Sequence, residues 1–171
     1  GFRLPGQTYS ADFTFQREDI TAYEGGFKGD FGDRVRINAA AYYYDFANKQ
    51  VTFATNPLIA TERAIVNTDD ELYGFEVDGT FVLNENFTAR GSYAYIDGTA
   101  GDTVNPLNPA DVRSYPELQG TPKNSYMMAI DYNGKLGNKD LFGNLTFSHK
   151  DDILAIPESA LRLPAIDLVS G

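Results

Sequence analysis

Between Tyr73 and Leu83 the chain alternates almost perfectly between two kinds of side chain. Tyr73, Phe75, Val77, Phe81 and Leu83 occupy one set of positions, and Glu76, Asp78 and Thr80 the other. Successive side chains of a strand point to opposite faces, so this stretch folds as a strand with one apolar side and one wet side. A slip of one residue would turn every side chain to the wrong face, which leaves the pattern little freedom. After the polar turn Asn84-Glu85-Asn86 the period restarts: Phe87, Ala89, Gly91, Tyr93 and Tyr95 oppose Thr88, Arg90 and Ser92. Two half-wet strands joined by a tight turn form a hairpin, and other segments repeat it.

The same period predicts a strand from about Ile20, with Tyr23, Phe27 and Phe31 beside Gly25 and Gly29, after a turn-rich opening that ends with Phe13 and Phe15 alternating with Thr14 and Gln16. A turn at Gly32-Asp33 leads to Arg34–Tyr44, where Val35, Ile37, Ala39, Ala41 and Tyr43 share a face. From Phe46 to about Arg63 the alternation fails and Asn56-Pro57 interrupts any regular element, so a long loop is expected. Ala64–Leu83 is then one long strand. Asp97–Lys123 reads as a second long loop whose prolines, Pro106, Pro109, Pro116 and Pro122, exclude a central strand. Tyr126, Met128, Ile130 and Tyr132 mark the next strand, a turn is expected from Asn133-Gly134 through Asp140, and Leu141, Gly143, Leu145 and Phe147 mark the strand after it. A third loop covers about Lys150 to Pro164, and a seventh strand begins at Ala165.

Short turns and long loops therefore alternate along the chain, which places all short turns at one end of the strands and all long loops at the other. An outer-membrane barrel has this sorting, with short periplasmic turns and longer extracellular loops. Strands of ten or more residues fit as well, since a tilted membrane strand needs about 9 to 11. The mean hydropathy of -0.35 looks soluble, yet apolar-out, polar-in strands average to such a value. Aromatic residues make 13% of the 171 residues, 12 Phe and 11 Tyr with no Trp, a composition suited to a pleated, half-buried surface. Seven strands do not make the even number of a bacterial barrel, and both outer strands would be left unpaired. The expected fold is therefore all-β and antiparallel, an up-and-down transmembrane barrel of which residues 1–171 are about seven strands.

The formal net charge of -10 and the absence of a Lys/Arg cluster argue against a nucleic-acid partner. Without cysteine there is no disulfide frame and no thiolate chemistry. No cofactor is expected. Glu76 and Asp78 share a face and are the spacing to weigh for a glycosidase carboxylate pair, but side by side on one strand they read as solvated charges. The only histidine, His149, has Asp151 and Asp152 nearby and serines in the chain, which is ordinary loop composition before it is a triad. Asp69-Asp70-Glu71 lacks the ligand spacing of a Ca²⁺ loop and reads as a solvated strand extension. Gly25, Gly26 and Gly29 are followed by no helix pattern, so they make no phosphate loop and read as room for neighbouring aromatics. Catalytic and metal residues are therefore expected to be none. Tyr42, Tyr43, Tyr44 and Phe46 cluster where a strand nears its long-loop end, as an interfacial aromatic girdle requires, and Tyr42 and Tyr44 face the lumen by parity. These two are the candidates for a ligand path.

Tyr23-Glu24-Gly25-Gly26-Phe27-Lys28-Gly29-Asp30-Phe31, the run Arg36–Phe46 with Gln50-Val51, Val66-Asn67 followed by Leu72-Tyr73-Gly74-Phe75-Glu76-Val77-Asp78, then Tyr93–Asp97 and Thr121-Pro122-Lys123-Asn124 occur in an order that resembles TonB-dependent outer-membrane receptors. The resemblance implies a 22-stranded barrel plugged by an N-terminal domain, importing iron-siderophore complexes, cobalamin or oligosaccharides with energy from the inner-membrane TonB complex. The family's plug and its final strands have no counterpart in these residues, so coupling to TonB is implied for a parent protein. The partners implied are outer-membrane lipid, a nutrient ligand met by the long loops, and TonB. Two other readings stay open on the residues alone: a soluble β-sandwich, either a carbohydrate-binding module or a glycosidase using Glu76, and a passive porin-like barrel.

Overall fold

The computed structural model describes residues 16–56, 59, 61–115, 117–156 and 160–171. The expected alternation at Phe13 and Phe15, and Pro57 of the Asn56-Pro57 breaker, lie outside them. Among the described residues ten strands form: β1 Asp19–Phe31, β2 Val35–Ala54, β3 Arg63–Val82, β4 Phe87–Asn105, β5 Asn108–Tyr115, β6 Asn124–Leu136, β7 Lys139–Lys150, β8 Ile153–Ile156, β9 Leu161–Leu163 and β10 Ile166–Ser170. Seven of them lie side by side in the order β1-β2-β3-β4-β6-β7-β10, each antiparallel to the next, while β5 pairs with β4 and β8 pairs with β9. Among the described residues no helix is long and apolar enough to cross a membrane, which is silent about a barrel that crosses with strands.

Register carries the alternation across the whole sheet. One row runs Gly29, Ile37, Gly79, Gly91, Met128, Phe147 and Val169; the next runs Lys28, Asn38, Asp78, Ser92, Met127, Ser148 and Leu168. Facing residues of neighbouring strands share a side, so the first row lies on the apolar face and the second on the opposite, largely polar face. The apolar face carries a lower band, Phe27, Phe31, Phe81, Phe87 and Tyr132, and an upper band, Tyr23, Tyr43, Tyr73, Tyr93, Tyr95 and Tyr126. Contacts such as Phe87–Tyr132 at 4.9 Å, Tyr73–Tyr95 at 6.4 Å and Tyr23–Tyr43 at 6.5 Å tie each band together. Tyr73 and Phe81 are eight residues apart, about 26 Å along a strand and about 20 Å along the normal at a 40° tilt, close to the ~25 Å apolar band of an outer-membrane barrel. Phe75 and Phe81 remain exposed at 44% and 38%. No second sheet covers that face among the described residues, as a soluble sandwich would require.

The other face is laced by charged pairs. Arg36 Nε donates to Asp30 (2.6 Å), Asn38 Nδ2 to Asp78 (2.8 Å), and Arg90 binds Asp131 through two nitrogens (2.7 and 2.9 Å), with Asn144 Nδ2 adding a third donor (2.7 Å). It is the lumenal face.

Tight turns lie at one end, at residues 32–34, 83–86 and 137–138. At the middle one Asn84 Oδ1 accepts from the N–H groups of Asn86 and Phe87 (2.9 and 3.0 Å). The third corrects the expected turn from Asn133-Gly134 to Asp140: β6 and β7 run on, and the chain reverses at Gly137-Asn138, with Gly137 at φ +63. Running the ladder on pairs Asn133–Leu136 with Lys139–Phe142, backbone groups that a turn over residues 133–140 would leave unpaired. The face assignment is kept, with Phe147 opposite Met128 and Leu145 opposite Ile130.

At the long-loop end three expectations change. β2 does not stop at Phe46 but continues to Ala54 past a bulge between Phe46 and Lys49, where Asn48 takes φ +58. An extra residue there reverses the parity, so Tyr42, Tyr44 and Phe46 share the lumenal face with Lys49, Val51 and Phe53. The second long loop contains the upper part of β4 and the strand β5, and the third contains β8 and β9. Pro109 sits in β5, which among the described residues pairs with β4 alone, so proline keeps to an edge strand as expected. The best-buried residues lie largely at this end: Phe53, Thr68, Asp70, Thr103, Asn105 and Leu154. The wall has lipid on one side and lumen on the other; the packed core sits on top of it.

Candidate functional site on the upper lumenal face

Tyr42, Tyr44 and Phe46 follow one another at two-residue spacing on β2 and form a ladder. The Tyr42 and Tyr44 rings stack at 5.4 Å between centroids with 18° between planes, and Phe46 meets Tyr44 edge-on at 6.3 Å. The Tyr44 hydroxyl donates to Glu24 on β1. Opposite Tyr42 stands Gly74; a Cβ there would come within 2.7 Å of the Tyr42 hydroxyl oxygen and 2.3 Å of the Tyr95 carbonyl oxygen. Glycine at 74 is what allows the tyrosine to lie against the wall.

Above the ladder, the sheet and the segment 117–121 enclose a cavity of about 410 Å³. Phe46, Val51, Phe53, Leu72, Ala100 and Leu118 supply most of its apolar lining. Its floor holds an ion pair: Lys49 Nζ lies 2.6 Å from Asp70 Oδ2, with the Asp70 side chain 4% exposed and that of Lys49 39%. Asp70 Oδ1 also accepts from the Gly101 N–H (3.1 Å) and the Thr68 hydroxyl (3.4 Å).

The hairpin tops lock together beside it. The Arg113 guanidinium lies over the Phe53 ring at 4.0 Å and donates to the Ala54 carbonyl (3.1 Å). Asn105 Nδ2 donates to the Thr55 carbonyl (3.2 Å) and to Asp111 (3.0 Å). The Arg113 guanidinium, helped by the Asn105 amide, holds the Asp111 carboxyl below its ordinary range. The roof segment is tied to β8: the Gly120 N–H donates to the Leu154 carbonyl (2.9 Å), Gln119 Nε2 to the Ala155 carbonyl (2.8 Å), and Arg162 binds Glu117 (2.7 Å) and Asp152 (2.5 Å).

The remaining sequence candidates separate clearly. Asp69-Asp70-Glu71 does not act as one solvated run. Asp70 is 3% exposed on the lumenal side, while Asp69 on the other face accepts the Asn48 N–H at the bulge (2.8 Å). Among the described residues no group of three or more His, Cys, Asp or Glu is arranged to hold a metal. Glu76 and Asp78 share the lumenal face, and Asp78 is engaged by Asn38. Both ring nitrogens of His149 face carboxylates, Nδ1 at 2.7 Å from Asp167 and Nε2 at 3.1 Å from Asp151, so neither is left for a serine. Of the three glycines, only Gly29 makes close room for aromatics: a Cβ there would lie 2.6 Å from Phe27 and 3.3 Å from Phe31, whereas Gly25 has open space. The Lys49–Asp70 pair escaped the sequence reading. Its signal was present, a lysine three residues past an inward Phe46 and an acid in a run of acids, but only the bulge brings them to one face.

A sheet of long up-and-down strands with an aromatic-banded apolar face, a polar inner face and folded loops at one end defines a wall of an outer-membrane-type β-barrel. The family model described as TonB dependent receptor-like, beta-barrel matches residues 1–167, and the chain belongs to that family, whose barrels lie in the bacterial outer membrane. No curated protein sequence matches it. Among solved structures it is similar to the ferric yersiniabactin uptake receptor FyuA from Yersinia pestis, with a TM-score of 0.68 and 12% identity over 89% of this chain and 21% of that one. It is also similar to the copper transporter OprC, with a TM-score of 0.69 and 14% identity over 96% of this chain and 24% of that one. At these identities the likeness is one of fold, and the chain spans about a fifth to a quarter of either protein's length.

Proposed function

We propose that this chain is a part of the barrel wall and loop set of an outer-membrane receptor that imports a scarce nutrient with energy from TonB, the plug and the remaining strands belonging to other parts of the parent protein. The observation that carries the reading is the membership of residues 1–167 in the receptor-barrel family. The nutrient is of the class that includes iron-siderophore complexes, cobalamin and saccharides; FyuA takes ferric yersiniabactin and OprC copper, which supports a metal-bearing cargo. Tyr42 and Tyr44 line the ligand's path, as stacking and hydrogen-bonding surfaces on the lumenal side, and the chain itself carries no catalysis.

The test uses the full-length parent in a host lacking its own high-affinity receptors. Uptake of a radio-iron catecholate siderophore, of cyanocobalamin and of a maltooligosaccharide is followed with and without a protonophore. Energy-dependent uptake of one of them, reduced by Tyr42→Ala and Tyr44→Ala, is the expected result. Uptake that ignores the protonophore would replace this reading with a passive porin.

A further inference from the structure

The cavity under residues 117–121 is not needed to build the wall, and it is placed directly above the aromatic ladder, with Phe46 belonging to both. We infer that it is a subsite for an uncharged aryl or alkyl arm of the ligand, whose polar remainder lies lower, over Tyr42 and Tyr44. The inference rests on the uptake reading for its ligand, though the cavity's own selectivity is separate from transport.

Three observations fix the chemistry of the occupant. The charges on the floor cancel each other: Lys49 and Asp70 are paired at 2.6 Å, and the second oxygen of Asp70 is taken by Gly101 and Thr68. Glu117 at the edge is likewise matched by Arg162. A charged group entering would lose its water and meet no uncommitted opposite charge, which is unfavourable. The rest of the lining is mostly apolar, through Phe46, Val51, Phe53, Leu72, Ala100 and Leu118, and its other polar members are mainly neutral, threonines and Gln119. A volume near 410 Å³ falls within the range of small-ligand pockets and is ample for a ring system. The roof is also built to stay close to the wall: a Cβ at Gly98 would lie 2.9 Å from Leu118 Cδ1, so glycine at 98 lets the Leu118 side chain rest on β4. That side chain, anchored through Gly120 and Gln119 to β8, closes the cavity over an apolar guest.

The experiment uses the full-length parent in nanodiscs carrying Val51→Cys, with Glu85→Cys in a short turn as the reference thiol and the unsubstituted parent as background. Each is reacted with benzyl methanethiosulfonate, which is neutral and aryl, and with 2-sulfonatoethyl methanethiosulfonate, which is anionic. In both cases the thiolate attacks the sulfenyl sulfur, a disulfide forms and methanesulfinate leaves. The expected result is an aryl-to-anionic rate ratio about tenfold or more higher at position 51 than at position 85, as a desolvation penalty on the anion predicts, with the aryl rate saturating in reagent concentration at position 51 alone. Leu118→Arg, which puts a charge into the roof, should abolish the preference. Equal ratios and a linear aryl rate at both positions would overturn the inference. If Val51→Cys fails to assemble, Ala100→Cys reads the same cavity from β4. Retained energised uptake without aryl preference sinks the subsite alone; aryl preference without uptake sinks the transport reading and leaves the cavity standing.

Discussion

Replacing Asp70 by alanine should loosen the loop end of the barrel while sparing the membrane wall. The carboxylate is 3% exposed and satisfies three donors, the Lys49 ammonium, the Gly101 N–H and the Thr68 hydroxyl. Removing one partner of a fully buried pair costs about 3–5 kcal/mol. Lys49 is 39% exposed and can swing to water, so its share is well below that figure. The Gly101 N–H sits between strands and cannot, and an orphaned buried donor costs about 1–3 kcal/mol. The sum expected for Asp70→Ala is about 2–3 kcal/mol of local opening free energy, or roughly 30- to 150-fold faster exchange where opening limits it. Hydrogen exchange read by mass spectrometry on the full-length parent in nanodiscs separates a peptide across 98–103 from one across 88–94, which should not change. Asp30→Asn supplies the scale, because the Arg36–Asp30 pair is exposed on both sides and such a pair contributes about 0–1 kcal/mol. If Asp70→Ala exchanges no faster than Asp30→Asn at its own site, the Lys49–Asp70 pair does not hold the upper strands together.

Val77→Arg places a charge on the lipid face and should cost about 2–4 kcal/mol if it lies near the bilayer midplane, while Asp78→Arg on the lumenal face should cost far less; folding yield into vesicles, read by gel mobility without heating, compares them. The Asp111 carboxyl is held below its ordinary value by Arg113 and Asn105, so the stability it lends is present above the unfolded value of about 4 and is lost as pH falls through its lower folded value. Pepsin nicking of the β4–β5 hairpin should therefore rise steeply below about pH 4, and Asp111→Asn should flatten that dependence. Asn48 holds a left-handed conformation at φ +58, so Asn48→Gly should be tolerated and Asn48→Val should cost about 1–2 kcal/mol of local stability, read by hydrogen exchange on a peptide across the bulge. Equal stability of the two would remove the argument for strain at the bulge.

The wall was legible because lipid and water impose opposite demands on alternate residues, and Tyr73–Phe81 obeys both. The lumenal placement of Tyr42 and Tyr44 followed from the same parity. What could not be read was each point where the period changes phase or gives way to local pairing. At Phe46-Ala47-Asn48-Lys49 one extra residue makes a continuous strand look like the start of a loop. At Asn133-Gly134 a strong turn dipeptide is overruled by the ladder, which runs on to Leu136 opposite Lys139 before the chain reverses. Pro109 marks an edge strand correctly but says nothing of which strand it borders. The Lys49–Asp70 pair and the cavity above it depend on all of these, on β2 continuing, on its change of phase and on 117–121 folding back, so no local pattern announces them.

The bulge also divides β2 into two reading frames. Below it the even-numbered residues answer to the lumen and the odd ones to the bilayer; above it the assignment is exchanged. Deleting Ala47 or Asn48 would remove the bulge and leave a regular ladder, with one residue opposite Asp69, Phe46 still opposite Asp70 and Lys49 still opposite Thr68. Lys49, Val51 and Phe53 would then keep the lumenal face, whereas a deletion anywhere else in β2 would turn the residues above it over. By the same token, Ala47-Asn48 is a seam: an upper hairpin of different sequence grafted there inherits its own phase and leaves the wall's inheritance intact. Sequence above this joint can therefore vary without changing which residues of the wall below it face lipid and which face the lumen.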